Sequence, residues 1–305
     1  MTNSWRGTFT ALVTPFRGDG SVDFGALERL VDRQIDGGVE GIVPCGTTGE
    51  SATLTNQEKL RVIEAAKKAS RDRLLVMAGA GGNATEAVVR FAREAAGVGV
   101  DALLSVVPYY NRPNQEGLYR HFATIADQVD VPVFVYNVPG RTGASLSPAT
   151  VTRIAAHGNI RGIKEASGDV TRVAEILEAR PEGFRVLSGE DHLTLPIAAL
   201  GGDGVVSVVS NEVPVLMSSM VREALAGRFE KARALHFRLL PLMRANFIDT
   251  NPIPVKAALA MMGLIEECYR LPLTPTAEAE RRHIQEALGA MELIDTPREE
   301  VVATR

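Results

Sequence analysis

One lysine in this 305-residue chain is placed where covalent chemistry can use it. Lys164 closes the stretch NIRGIKEAS (159–167), in which Gly158 stops a helical pattern and residues 160–163 form a short apolar, β-branched run that reads as a buried strand. Lys59, Lys67, Lys68, Lys231 and Lys256 lie instead in helical patterns among charged or polar neighbours, where a solvated face is the ordinary reading. An amine held partly out of water is more readily the free base, the form that attacks a carbonyl carbon to give an imine. Groups able to assist it occur in three further stretches. GTTGES (46–51) offers two hydroxyls and accessible backbone N–H groups suited to a carboxylate, PYYNRP (108–113) offers two phenols, and YNVPGRTG (136–143) offers a phenol and a guanidinium. Each has a plainer alternative: Lys164 paired with Glu165, GTTGE as a turn, Tyr109 and Tyr110 as packing aromatics, Arg141 on the surface. What separates these readings is whether one fold gathers the stretches on one face.

The pattern of elements predicts that it does. A glycine that ends a helix, two or three residues, then a short apolar strand recurs at 37–46, 97–108, 158–166 and 201–207, the helix-to-strand junction of βαβ units. Strands are expected near 8–13, 41–45, 74–78, 102–106, 131–137, 160–164, 184–188 and 204–208, with helices between them. Thr55 with Glu58 forms a capping box, and Ser147 with Pro148 an N-cap followed by an N1 proline. Eight such units within about 225 residues fit a (β/α)8 TIM barrel, an α/β fold whose active groups follow the strand C-termini. The barrel is expected over 1–227. Helical patterns at 228–245, 254–262 and 276–291 then form a C-terminal appendage over 228–305, with the charged stretch DTPREEVVATR frayed.

Composition narrows the chemistry. A net charge of -4 provides no basic field for nucleic acid and no polybasic membrane patch, so no nucleic-acid or membrane partner is expected. Two cysteines, Cys45 and Cys268, are too few for a disulfide framework, and the five histidines show no metal-ligand spacing. No metal or other cofactor is therefore expected, and with no membrane-length apolar run or leader pattern the simplest setting is cytoplasmic. The segment GAGGNA (79–84) fits a dinucleotide-binding pattern, but Asp101 precedes its strand instead of following it, which argues against that reading.

GTTGES, PYYNRPNQEG, YNVPGRTG, GIKEASGD and NPIPVK, in this order and spacing, closely resemble the dihydrodipicolinate synthase family, over essentially the whole chain. The wider group includes N-acetylneuraminate lyase and 2-keto-3-deoxy sugar-acid aldolases, which share the barrel and the Schiff-base lysine. The resemblance implies a lysine-pathway enzyme that condenses pyruvate with L-aspartate 4-semialdehyde. It implies that Lys164 forms the imine, that Tyr136 donates and accepts its proton, and that Thr47 and Tyr110 complete a relay, Tyr110 entering from a neighbouring subunit of a homotetramer. It further implies that Thr48 holds the pyruvate carboxylate, Val206 contributes backbone beside it, Gly189 lines the pocket and Arg141 receives the semialdehyde carboxylate. Arg141 also separates this reading from a sugar-acid aldolase, which needs hydroxyl-binding groups in its place. A relay of Lys164, Tyr136, Thr47 and Tyr110 argues against a non-catalytic binding barrel.

One departure stands out. Lysine-inhibited members of the family carry histidine or similar polar residues on the second helix and a glutamate on the third. The matching positions here are Asn56, Lys59 and Ala87, although Ser51, Ala52, Asn83 and Tyr109 are retained. A cation at Lys59 and no carboxylate at Ala87 disfavour a ligand bearing an extra ammonium, so weak or absent feedback inhibition is expected.

Overall fold

The computed structural model describes residues 5–295. Eight parallel strands close into a barrel in chain order: β1 (Gly7–Ala11), β2 (Gly41–Val43), β3 (Leu75–Gly79), β4 (Ala102–Val106), β5 (Val133–Asn137), β6 (Ile160–Glu165), β7 (Arg185–Ser188) and β8 (Gly204–Ser207). All eight fall where the sequence places them. β2 ends early because Cys45 turns to a φ of 57°. β8 ends early because the Val208 N–H donates to Asp191 Oδ2 instead of to a neighbouring strand. At the junctions the left-handed turn falls on Gly38, Gly99 and Gly201, whereas Gly158 does not adopt it and the helix before it already ends at Ala155.

Around the barrel run α1 (Phe24–Asp36), α2 (Asn56–Ser70), α3 (Thr85–Gly97), α4 (Gln115–Ala126), a four-residue α5 (Pro139–Thr142), α6 (Pro148–Ala155), α7 (Val170–Ala179), α8 (Thr194–Ala199) and α9 (Pro214–Leu225). Both expected caps form. The Glu58 N–H donates to Thr55 Oγ1 while Thr55 N–H donates to Glu58 Oε2, and the Thr150 N–H donates to Ser147 Oγ. The short α5 was not legible in the sequence, where YNVPGRTG reads as loop. Beyond the barrel lie α10 (Phe229–Ala245), α11 (Ile253–Met261) and α12 (Glu278–Ala290), close to the three expected helices. Met217, Met220, Leu239, Leu242, Ile284 and Leu288 form their shared core with α9. The stretch expected to fray lies outside the described residues beyond Asp295. Among the described residues no helix is long and apolar enough to cross a membrane.

The barrel interior is filled by large residues lying over small ones. Phe9 occupies the space that a side chain at Gly41 would need, a Cβ there falling 2.6 Å from its ring. Phe134 does the same over Gly162 at 2.4 Å. Trp5 stacks on Phe9 with ring centroids 5.7 Å apart and lies against Phe134 at 5.1 Å. Because side chains alternate across a strand, the inward set Phe134 and Gly162 is followed two residues later by Tyr136 and Lys164. The register pairs Tyr136 with Lys164 and Lys164 with Leu187.

Outside the barrel, His121 on α4 is buried, with Nδ1 2.9 Å from Thr85 Oγ1 and Nε2 without a partner. Burial pushes its imidazole down to about 4. The unfolded chain takes up this proton near pH 6.5 and the folded chain only near 4, so stability is intact above 6.5 and is lost as pH falls between the two values. The expected loss is roughly 3 kcal/mol. Urea unfolding from pH 7 to pH 4 is expected to show this slope in the parent chain and a flatter one in His121→Gln; parallel slopes would refute it.

Candidate active site

Lys164 is 6% exposed near the C-terminal end of β6, with Nζ 4.1 Å from the centroid of the Tyr136 ring on the adjacent strand. Glu165 does not pair with it. The strand alternation turns the Glu165 carboxylate to the other face, where it accepts hydrogen bonds from Asn137 Nδ2 (2.9 and 3.1 Å) and the Ser167 N–H (2.8 Å). Gly189, after β7, allows close approach from the opposite side: a Cβ there would lie 3.1 Å from Lys164 Cε and 2.5 Å from Ala166 Cβ. Val206 on β8 packs into the same interior cluster as Tyr136 and Leu187. The amine is thus held against an aromatic face and a glycine, with little freedom to move.

The stretch after β2 forms the next wall. Thr48 is buried and its Oγ1 accepts a 2.9 Å hydrogen bond from Asn251 Nδ2. Arg141, exposed on α5, donates from Nη2 to the Asn251 backbone carbonyl at 3.1 Å. Asn251 therefore joins Thr48 to Arg141. Thr47 is half-buried and lines two connected spaces. One is a cleft of about 330 Å³ at the barrel mouth, bounded also by Tyr109, Val138, Arg141 and Asn251. The other is a recess of about 60 Å³ bounded by Thr47, Ser51, Lys59, Phe91 and Tyr136. Thr47 and Tyr136 thus share a small space beside the lysine. Tyr110 is not brought into this chain's cleft: it is 90% exposed at a φ of 73°.

Several participants escaped sequence reasoning. Lys256 is not on a solvated face; it is fully buried, paired with Glu50 of GTTGES and held over the rings of Phe16 (4.3 Å) and Tyr269 (5.2 Å). Burial pushes its amine down, opposed by Glu50. Lys59 is likewise half-buried, not solvated. Asn251, within the NPIPVK stretch, carried no catalytic signal in its residue type. Glu190, next to Gly189, has its carboxyl pushed up by burial and by Asp191, while Lys164 and Arg141 pull it down. Asp191 is buried and accepts from the Val208 and Val209 N–H groups at 3.0 and 2.9 Å, which fixes the exit of β8. The acidic pair in SGED was the available signal. The glycines of GAGGNA serve close packing, since a Cβ at Gly79 would fall 2.0 Å from the Cys45 carbonyl oxygen and one at Gly81 2.4 Å from Val106 N.

Comparison with known proteins agrees with this arrangement. The chain is 50% identical over 289 residues to the 4-hydroxy-tetrahydrodipicolinate synthase of Chlorobium limicola, covering 94% of this chain and 98% of that protein. Its structure superposes on the crystal structure of dihydrodipicolinate synthase from Aquifex aeolicus with a TM-score of 0.94 at 44% identity, covering 96% of this chain and 100% of the other. A monomeric dihydrodipicolinate synthase variant superposes with a TM-score of 0.93 at 42% identity, covering 95% and 98%. The sequence profile of the Dihydrodipicolinate synthetase family matches residues 4–291, and the chain belongs to that family.

Proposed function

We propose that this enzyme condenses pyruvate with L-aspartate 4-semialdehyde through an imine on Lys164, as a 4-hydroxy-tetrahydrodipicolinate synthase. The observation that carries the reading is the adjacency of Lys164 and Tyr136 on paired strands, with Nζ 4.1 Å from the phenol ring. Lys164 Nζ attacks the pyruvate C2 carbonyl and water leaves, giving an iminium. Loss of a proton from C3 makes the enamine, and C3 then bonds to the aldehyde carbon of the semialdehyde, whose oxygen takes up a proton. The amino group of the joined product displaces Lys164 and closes the ring, restoring the free amine. The covalent imine supplies the electron sink, so the scheme uses no further cofactor.

Each step moves a proton, and Tyr136 and Thr47, sharing the recess, are placed to carry it. Thr48, fixed by Asn251, orients the pyruvate carboxylate beside the Val206 backbone and Gly189. Arg141 presents a planar guanidinium for the second carboxylate. Tyr110 completes the relay from a neighbouring subunit of a homotetramer built as a dimer of dimers. A bulky residue held at φ 73° with its ring in solvent fits that role better than any within its own chain. The two free cysteines are compatible with a reducing, cytoplasmic setting.

Borohydride reduction in the presence of pyruvate is expected to add a stable mass to the peptide containing Lys164 and nothing in Lys164→Ala. An unmodified peptide, or an equal gain in the variant, would remove the Schiff-base step.

Arg141→Ala is expected to raise the KM for the semialdehyde and lower kcat, with a loss of about 2 to 4 kcal/mol in kcat/KM. Unchanged semialdehyde kinetics would favour a sugar-acid aldolase instead.

Free L-lysine is expected to inhibit weakly or not at all. Lys59 lines the cleft with Ser51, Ala52 and Tyr109, Ala87 is exposed without an acceptor, and Glu86 lies out in solvent 3.9 Å from Arg90. Initial rates at millimolar lysine test this, and strong saturable inhibition would show that the site tolerates these residues.

A further inference from the structure

We propose that the recess beside Thr47 and Tyr136 is a binding site for a small halide-sized anion, with Lys59 as its counter-charge. The recess is closed by the Thr47 and Ser51 hydroxyls, Tyr136, the Phe91 ring and Lys59. Lys59 Nζ lies 5.6 Å from the Phe91 centroid, and among the described residues no carboxylate pairs with it. The acids nearest in the mouth are already engaged: Glu50 with Lys256, and Glu58 with Arg270 and Thr55. Cys45 supplies no charge either, since burial pushes its thiol up to about 12 while its Sγ–H points to the Lys59 carbonyl oxygen at 3.6 Å.

A half-buried ammonium facing a polar space with no counter-ion is electrostatically incomplete, and desolvation already pushes Lys59 below its ordinary range. An anion in the recess relieves that imbalance and can accept hydrogen bonds from the hydroxyls that line it. Size selects the occupant. About 60 Å³ is roughly the share of two water molecules, enough for chloride or bromide but not for a free amino acid or a carboxylate-bearing sugar acid. Because Thr47 and Tyr136 face the same space, an anion there draws their hydroxyl protons inward and away from the substrate. Occupancy should therefore slow turnover without touching Lys164.

The binding arm of the test does not rest on the proposed reaction. Chloride-35 NMR is expected to show excess line broadening with the parent protein, displaced by bromide and lost in Lys59→Met, with Lys59→Gln as the second variant should the first not fold. Borohydride trapping of pyruvate checks that each variant retains its mouth. In initial-rate assays, sodium chloride is expected to give a saturable fall of several-fold that sodium gluconate at equal ionic strength does not, and that Lys59→Met lacks. Absence of broadening, or equal broadening in folded Lys59 variants, overturns the site. Lys59-dependent broadening with rates insensitive to chloride sustains the site and counts instead against the assigned Thr47 and Tyr136 relay.

Discussion

The buried Glu50–Lys256 pair is the constraint on which the mouth of this barrel depends. Both side chains are fully withdrawn from water, and Glu50 holds a φ of 50°, in the left-handed region. An ion pair so deep recovers little net stability, because two charges are desolvated to form it. Its effect is on position. Removing one partner leaves the other charge uncompensated at roughly 3 to 5 kcal/mol, so the turn carrying Thr47 and Thr48 has one stable place relative to α11. The Phe16 and Tyr269 rings enclose the ammonium, and Arg270 adds a second tie by reaching Glu58, Gly20 and Thr53. Helices outside the barrel thereby set the geometry of a loop inside its mouth.

The barrel supplies the other half of the positioning by simple alternation. Inward positions two residues apart place Phe134 and Gly162 in one layer and Tyr136 and Lys164 in the next, so the packing that fills the interior also delivers the phenol to the amine. Glu165 is carried to the opposite face by the same rule, where Asn137 and Ser167 satisfy it. A lysine followed directly by a glutamate reads as an ion pair in sequence, yet on a strand the two cannot meet. Period two is what leaves Lys164 free to react.

Strand positions were legible because each is a short apolar run bounded by glycine or polar residues, a signal that needs no tertiary information. The gathering of GTTGES, YNVPGRTG and Lys164 on one face followed once the barrel was inferred. Less legible were residues whose role depends on contacts far along the chain. Lys256 sits in a helical pattern like any solvated lysine, and only its partner 206 positions away makes it interior. Asn251 joins Thr48 to Arg141 across separations of 203 and 110 positions. Gly158 misled in a smaller way, since α6 ends before reaching it and no left-handed turn is needed there. The α5 turn is too short for periodicity to register.

The charges of the mouth differ from those of the chain as a whole. The molecule carries a net charge of -4, yet Lys164, Lys59 and Arg141 converge on the mouth, where Glu50 is already spent on Lys256. Two carboxylates, Glu190 and Asp191, sit close enough to Lys164 to act on it, while Lys59 has none. The two lysines therefore stand in different electrostatic environments a short distance apart. One has acids beside it and a phenol to exchange protons with, the setting in which a cationic iminium can form and decay. The other is an uncompensated cation that favours negative charge at the entrance, and a cleft of that sign in a low-dielectric wall concentrates anionic carboxylate substrates against the molecule's overall charge.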